Sequence, residues 1–434
     1  MSLLSTKSLA KSVAAALGVA SLIAGICSAE TTLIKDAKIH TLSSQGVLQS
    51  GDVLFEDGVI KAVGEDLSVE ADTVIDGAGK VVTPGIFAQI TQIGLVELGS
   101  QEQTADARTE HEEQGASFSV DKVYNHNSTL VAVNRSNGVT RTLVAPQVGS
   151  TVFAGQGAIM SLKDQYHPLI AKDVAIFTAF GEWSAEGMGG SRASVLFELN
   201  KAFDEARLYQ KNRTAIEQGD FRELTYSIAD LEALQAVINR EIPLLVNTQR
   251  ESDILTMLDF AKEQNIRIGF VGAAEAWKVA DQLAEADASV FVDPMDNLPD
   301  SFESLGKRYE NAAILSEAGV KVMFLGQGFL ATHNAYTVRH SAGNAVAYGM
   351  DYDKALAAMM STPAGYFGGD ETYGQIAEGY KAELVLWNGD PLEVTTLPEQ
   401  VWIDGEAVSM ENRSTKLRDR YKDLDTDKNT GYRK

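Results

Sequence analysis

Glu275 and Asp293 each follow closely on an apolar, β-branched stretch, 266–271 and 288–292. A carboxylate at such a strand end, raised in pKa by burial, can take a proton from water or substrate. Both are therefore candidate general bases. Arg250 follows a third stretch, 243–246, and is a candidate for holding an oxyanion. Gln92, Asn247, Gln249, Gln327, His333, Asn334 and Glu97 occupy the same kind of position. Amides, carboxylates and an arginine gathered in one place can hold a polar small molecule without a metal ion. The alternative for each is an ordinary loop hydrogen bond or a helix cap, and for Arg250 an ion pair with Glu251 or Asp253.

Metal chemistry has few residues to draw on. The chain has 6 histidines: His40, His111, His126, His167, His333 and His340. On a helix His333 and His340 would stand about 10 Å apart, too far to share one ion. Asp106, Glu110, His111, Glu112 and Glu113 have the composition of a ligand set, but read more simply as a solvated acidic loop. The run Gly187-Met188-Gly189-Gly190-Ser191-Arg192 precedes a helical stretch from Ala193 to about Tyr209. It offers either an anion site made of backbone N–H groups or a loop ending in a serine N-cap.

Strand and helix patterns must position these groups. Between 84 and 371, apolar strands at 139–144, 158–162, 243–246, 266–271, 288–292 and 320–325 alternate with helical stretches such as 252–264 and 275–286. Such alternation predicts a parallel sheet with right-handed crossovers, and a (β/α)8 TIM-type barrel of about 250 residues fits it. Short strands and turns fill 30–83, with Glu56-Asp57-Gly58 as a hairpin turn, and similar strands return at 372–415. The economical arrangement is a barrel, 84–371, inserted in a small β-sandwich formed by both chain ends. A charged tail, 416–434, follows, with Leu417, Tyr421 and Leu424 spaced for a short helix.

Residues 1–29 read as a cleavable export signal: Lys7 and Lys11, an apolar run Val13 to Ile26, then Cys27-Ser28-Ala29. The apolar run is shorter than the roughly 20 residues a membrane span needs. Ile26 just before Cys27 argues against lipid attachment. Cleavage removes the chain's only cysteine, so disulfides are excluded and stability rests on core burial. It also removes two lysines and no acid, taking the net charge from -23 to about -25. So acidic a chain is not built to bind nucleic acid, and nothing after the signal is apolar enough for a membrane. The address implied is periplasmic or secreted.

The order of several short motifs resembles the amidohydrolase superfamily over nearly the whole mature chain. The opening is Gly51-Asp52-Val53-Leu54-Phe55-Glu56-Asp57-Gly58, continued by Val74-Ile75-Asp76 and Val82-Thr83-Pro84-Gly85. The close is Ser361-Thr362-Pro363-Ala364, Gly379-Tyr380-Lys381-Ala382-Glu383 and Gly389-Asp390-Pro391. With Val152-Phe153-Ala154-Gly155-Gln156-Gly157-Ala158, the likeness is to the imidazolonepropionase-related, secreted branch. The resemblance implies a barrel that holds one or two divalent ions on a His-x-His pair in the first strand, on histidines after the fifth and sixth, and on an aspartate after the eighth. Here those places read Ile90-Thr91-Gln92, Asn247, Gly272-Ala273-Ala274 and Gln327. Isoleucine and alanine side chains cannot ligate a metal, and neutral amides bind zinc-class ions poorly.

Two functions are therefore expected. One is hydrolysis of C–N bonds in amide, lactam or peptide-like compounds without the family's metal. The other is non-catalytic ligand binding or scaffolding by a pseudoenzyme. Neither calls for a cofactor; both call for a small-molecule ligand at the barrel mouth.

Overall fold

The structure is a computed structural model that describes residues 30–422 apart from 167, 222, 327–332 and 369–371. The expected export signal, His167, Gln327 and the end of the charged tail lie outside the described residues.

The two chain ends meet in one sheet. The first part supplies β1 (Thr31–His40), β2 (Val47–Glu56), β3 (Val59–Gly64), β4 (Thr73–Asp76) and β5 (Val81–Pro84). Eight further strands then build a second sheet: β6 (Ile86–Thr91), β7 (Val139–Val144), β8 (Phe153–Ser161), β9 (Leu169–Ala179), β10 (Leu244–Thr248), β11 (Ile268–Gly272), β12 (Ser289–Val292) and β13 (Lys321–Phe324). The end of the chain returns with β14 (Leu384–Trp387), β15 (Pro398–Ile403) and β16 (Glu406–Ala407). The terminal sheet runs β16-β15-β14-β5-β1-β2-β3, with β4 paired to β1. Instead of two separate sheets facing each other, the hydrogen-bonded ladder is continuous and curls. Phe55 on β2 and Trp402 on β15 are well separated in strand order, yet their rings meet edge to face at 5.9 Å. Ile34, Ile60, Val82 and Leu384 fill the space beneath them.

The second sheet runs β6 to β13 in order, and a parallel bridge from Gln89 to Leu325 nearly closes it into a barrel. Not every strand is parallel, however. β8 pairs antiparallel with both β7 and β9, so the expected all-parallel sheet is corrected at its third strand. The reason is chain length. Only residues 145–152 and 162–168 connect these strands, whereas a parallel crossover needs a dozen or more residues.

Helices cover the barrel: α1 (Thr129–Arg135), α2 (Glu182–Gly187), α3 (Arg192–Glu217), α4 (Ile228–Ile238), α5 (Glu251–Gln264), α6 (Ala280–Glu285), α7 (Asn311–Glu317), α8 (Val338–Ala347), α9 (Tyr352–Ala357) and α10 (Ser361–Phe367). Their apolar faces pack on the outside of the strands, as Phe203 on α3 does against Phe153 on β8, ring centroids 6.4 Å apart. A separate cluster that includes Phe87, Leu143, Leu245, Phe291 and Met323 fills the barrel interior. The tail begins as α11 (Arg413–Tyr421). The long stretch predicted from 275 to 286 divides into a 3-10 turn, Ala276–Val279, and α6. Among the described residues, no helix is long and apolar enough to cross a membrane.

Candidate functional site

The C-terminal ends of the parallel strands open onto a cavity of about 810 Å³. Ile90 lines it from β6, Ala179 from β9, Asn247 and Thr248 from β10, Gly272 from β11, Val292 from β12 and Leu325 just after β13. This is the face at which barrel enzymes work. Three expected site residues lie on its wall: Asn247, Gln249 and Asp293. Gln92, Arg250, Glu275, His333 and Asn334 are not part of that wall.

Local geometry explains the division. The amide of Gln249 donates to Asn247 Oδ1 at 3.3 Å, and its Oε1 accepts from the Ala274 amide at 3.3 Å. Gly272, at φ 84°, sits against that amide; a Cβ there would collide with Gln249. Two neighbouring residues carry strain where the family's ligand positions fall. Ile90 has φ 52° and Ala273 φ 45°, and for a β-branched residue this is a true outlier. Asn311 on α7 supports the second by donating to the Ala273 carbonyl at 3.1 Å.

Glu275, a candidate general base, is engaged at the start of α5. Its Oε2 accepts from the Glu251 amide at 3.0 Å, at the start of α5, and its Oε1 from Lys278 Nζ at 2.7 Å. Burial pushes the carboxyl up, but the Glu251 amide, the Lys278 ammonium and Arg250 outweigh burial and hold it below its ordinary range. Arg250 donates to Asp253 Oδ1 at 2.8 Å, the ion pair that was the alternative reading of this residue. Arg192 also binds Asp253, at 2.9 Å, and pairs with Glu303, while Ser191 Oγ accepts from the Ala193 amide as an N-cap. The glycine-rich run is thus a capped loop whose arginine is already engaged by carboxylates. His333 and Asn334 precede a 3-10 turn; the His333 carbonyl accepts from Asn134 on α1 at 3.1 Å. Glu97 accepts from Asn125 at 2.8 Å and Ser128 at 2.9 Å and so organises the loop before α1. Asp293 Oδ1 accepts from the Met295 amide at 3.0 Å and from Ser341 at 3.1 Å.

The histidines are dispersed. His40 is buried in the terminal sheet, with Nδ1 3.3 Å from Asp353. His111 stays in its exposed loop, His126 packs its ring on Tyr166, and His340 lies on α8. Among the described residues, no three His, Cys, Asp or Glu side chains gather in a metal-holding group.

Sequence reasoning missed several wall residues. Thr248 and Asn311 line the cavity, and their buried Oγ1 and Oδ1 atoms have no hydrogen-bond partner among the described residues. Lys307 lies between Asp296 at 2.8 Å and Asp300 at 3.0 Å. Burial lowers its pKa, yet the two carboxylates prevail and hold it above its ordinary value. The signal was available in residues 293–310. This long segment, with three Asp and two Pro, follows the seventh barrel strand at the face where function is expected.

Comparison with known proteins fits this architecture. The amidohydrolase family profile matches residues 250–410. Amidohydrolase tasK of Hapsidospora irregularis is 24% identical over 398 residues, 82% of this chain and 40% of that protein. A solved amidohydrolase from Thermotoga maritima superposes with a TM-score of 0.77 at 24% identity, covering 87% of this chain and 99% of that one. The family match, the tasK relative and the shared fold support the amidohydrolase superfamily. The match to a 5'-deoxyadenosine deaminase of Methanosarcina acetivorans is 46% identical but spans only 55 residues, 12% of this chain and 13% of that protein. The chain spans only 40% of the length of its tasK relative. The Thermotoga superposition shows a shared fold.

Proposed function

We propose that this amidohydrolase-superfamily barrel takes a small amide-, lactam- or peptide-like compound into its mouth, and does so without a divalent ion. The observation that carries the reading is a pair of buried atoms belonging to wall residues, Thr248 Oγ1 and Asn311 Oδ1, each without a hydrogen-bond partner among the described residues. A buried polar group with no partner is costly, and a ligand that supplies one recovers that cost. An amide suits this wall: its N–H can donate to Asn311 Oδ1, and its carbonyl can accept from the Thr248 hydroxyl or the Asn247 amide.

Donor chemistry supports the metal-free part. Ile90, Asn247 and Gly272-Ala273-Ala274 stand where the family resemblance places imidazoles, and none offers a strong ligand to a zinc-class ion. Gln327, at the aspartate's place, is an amide by sequence. The secreted, imidazolonepropionase-related branch and a periplasmic or secreted address belong to the same proposal, resting on the motifs quoted and on residues 1–29.

Metal-free hydrolysis is a second reading, and the position of Asp293 favours it. Its carboxylate is on the cavity wall, where it would take a proton from water adding to the carbonyl carbon and pass it to the departing nitrogen. Titration calorimetry on chelator-treated protein with 2-pyrrolidinone and N-acetyl-glycinamide, followed by product analysis, separates the two readings. Binding without product supports the ligand-binding role; product lost in Asp293→Asn supports hydrolysis. Binding that appears only after zinc is added overturns the metal-free proposal.

A further inference from the structure

Phe302 and Trp183 are the two most exposed large apolar side chains of the described residues, at 84% and 82%. Both line one groove, of about 550 Å³, together with Pro299 and Leu305. Water-facing rings of this size are uncommon unless something covers them. The groove is continuous with the barrel mouth, for Glu182, Trp183, Asp300 and Ser301 belong to the walls of both.

One buried carboxylate links the two backbone segments that carry the rings. Glu303 accepts from the Glu182 amide at 2.6 Å and pairs with Arg192. Trp183 is the residue after Glu182, and Phe302 the residue before Glu303. The groove is therefore held in advance of binding, on two elements clamped by a single side chain.

We propose that this groove is the subsite for an uncharged apolar or aromatic group of the same compound whose amide lies in the mouth. This rests on the function proposed above and narrows it: the ligand is amphipathic, polar at one end and apolar at the other. Glu182, Glu186 and Asp300 on the groove wall disfavour an anionic group there.

The test is calorimetric titration of the full-length mature protein with N-acetyl-phenylalaninamide and N-acetyl-glycinamide, in wild type and in the double variant Trp183→Ala/Phe302→Ala. Burying a benzyl group predicts that the phenylalanine compound binds about ten-fold or more tightly than the glycine compound in wild type. The double variant is expected to lose that preference. Equal binding of the two by wild type, or a preference that survives the double substitution, overturns the subsite and leaves the mouth's amide reading standing. Failure of both compounds to bind wild type overturns the amide reading and the subsite with it. Concentration-dependent dimerisation in sedimentation, lost in the double variant, would assign the groove to a second copy and likewise overturn the proposal.

Discussion

The closed end of the barrel and its mouth hold buried charge in different ways. At the closed end Arg141, on β7, meets Glu383 just before β14, with N–O distances of 2.9, 2.9 and 2.6 Å. Their side chains are only 1% and 5% exposed, and the guanidinium stacks on Tyr373 at 3.5 Å. This pair joins a barrel strand to the residue that leads into the terminal sheet's β14. At the mouth the charges are fixed by loops and helix starts instead: Glu303 to Arg192 and the Glu182 amide, and Lys307 to Asp296 and Asp300. The first arrangement fastens the fold together; the second shapes a cavity wall. The difference teaches that a carboxylate at a barrel's working face need not be a base. Here most of them hold the loops that carry the rings and amides.

Substitutions should expose the contrast. Glu383→Gln removes one partner of a buried pair and is expected to cost about 3–5 kcal/mol in denaturant unfolding, the largest effect of the set. A loss comparable to that of a surface residue would contradict the structural role given to the closed end. Glu303→Gln should cost less, about 1–3 kcal/mol, because its site is nearer solvent. It should weaken binding of N-acetyl-phenylalaninamide more than it lowers stability. An unchanged affinity would uncouple the clamp from the mouth.

Glu275→Gln makes a pH-dependent prediction. Folded Glu275 is held below its ordinary value of 4.5, so folding favours its ionised form. That contribution is present above the unfolded value and is lost as pH falls through the lower folded value. The variant should be less stable than wild type at neutral pH, and the gap should close in acid. A gap that widens in acid would mean the carboxyl is raised, and would restore Glu275 as a candidate base. Trp183→Ala alone, at an exposed site, should shift stability by no more than about 0.5 kcal/mol.

Much of the framework was legible in the sequence. The stretch 139–144 is β7, and 73–76 is β4, because turn residues bound both apolar runs. The meeting of the chain ends followed from their similar strand patterns. The direction of β8 was not legible from alternation, which is the same for either orientation; the short connections on each side carried that information. Asn247, Gln249 and Asp293 lie on the cavity wall because they stand at or directly after the ends of β10 and β12. Glu275 and Arg250 follow strands as well, but the start of α5 takes up both, a local competition that spacing does not reveal. Thr248 and Asn311 were overlooked because a threonine in a strand and an asparagine opening a helix have ordinary structural uses.

The central claim, a barrel mouth that works without a divalent ion, is tested most directly by elemental analysis of the protein purified without chelators or metal-affinity tags. A folded, stable protein carrying far less than one zinc, iron or manganese ion per chain is the result predicted. Near-stoichiometric metal that survives dialysis would contradict it and require a ligand set other than the one at the family's positions.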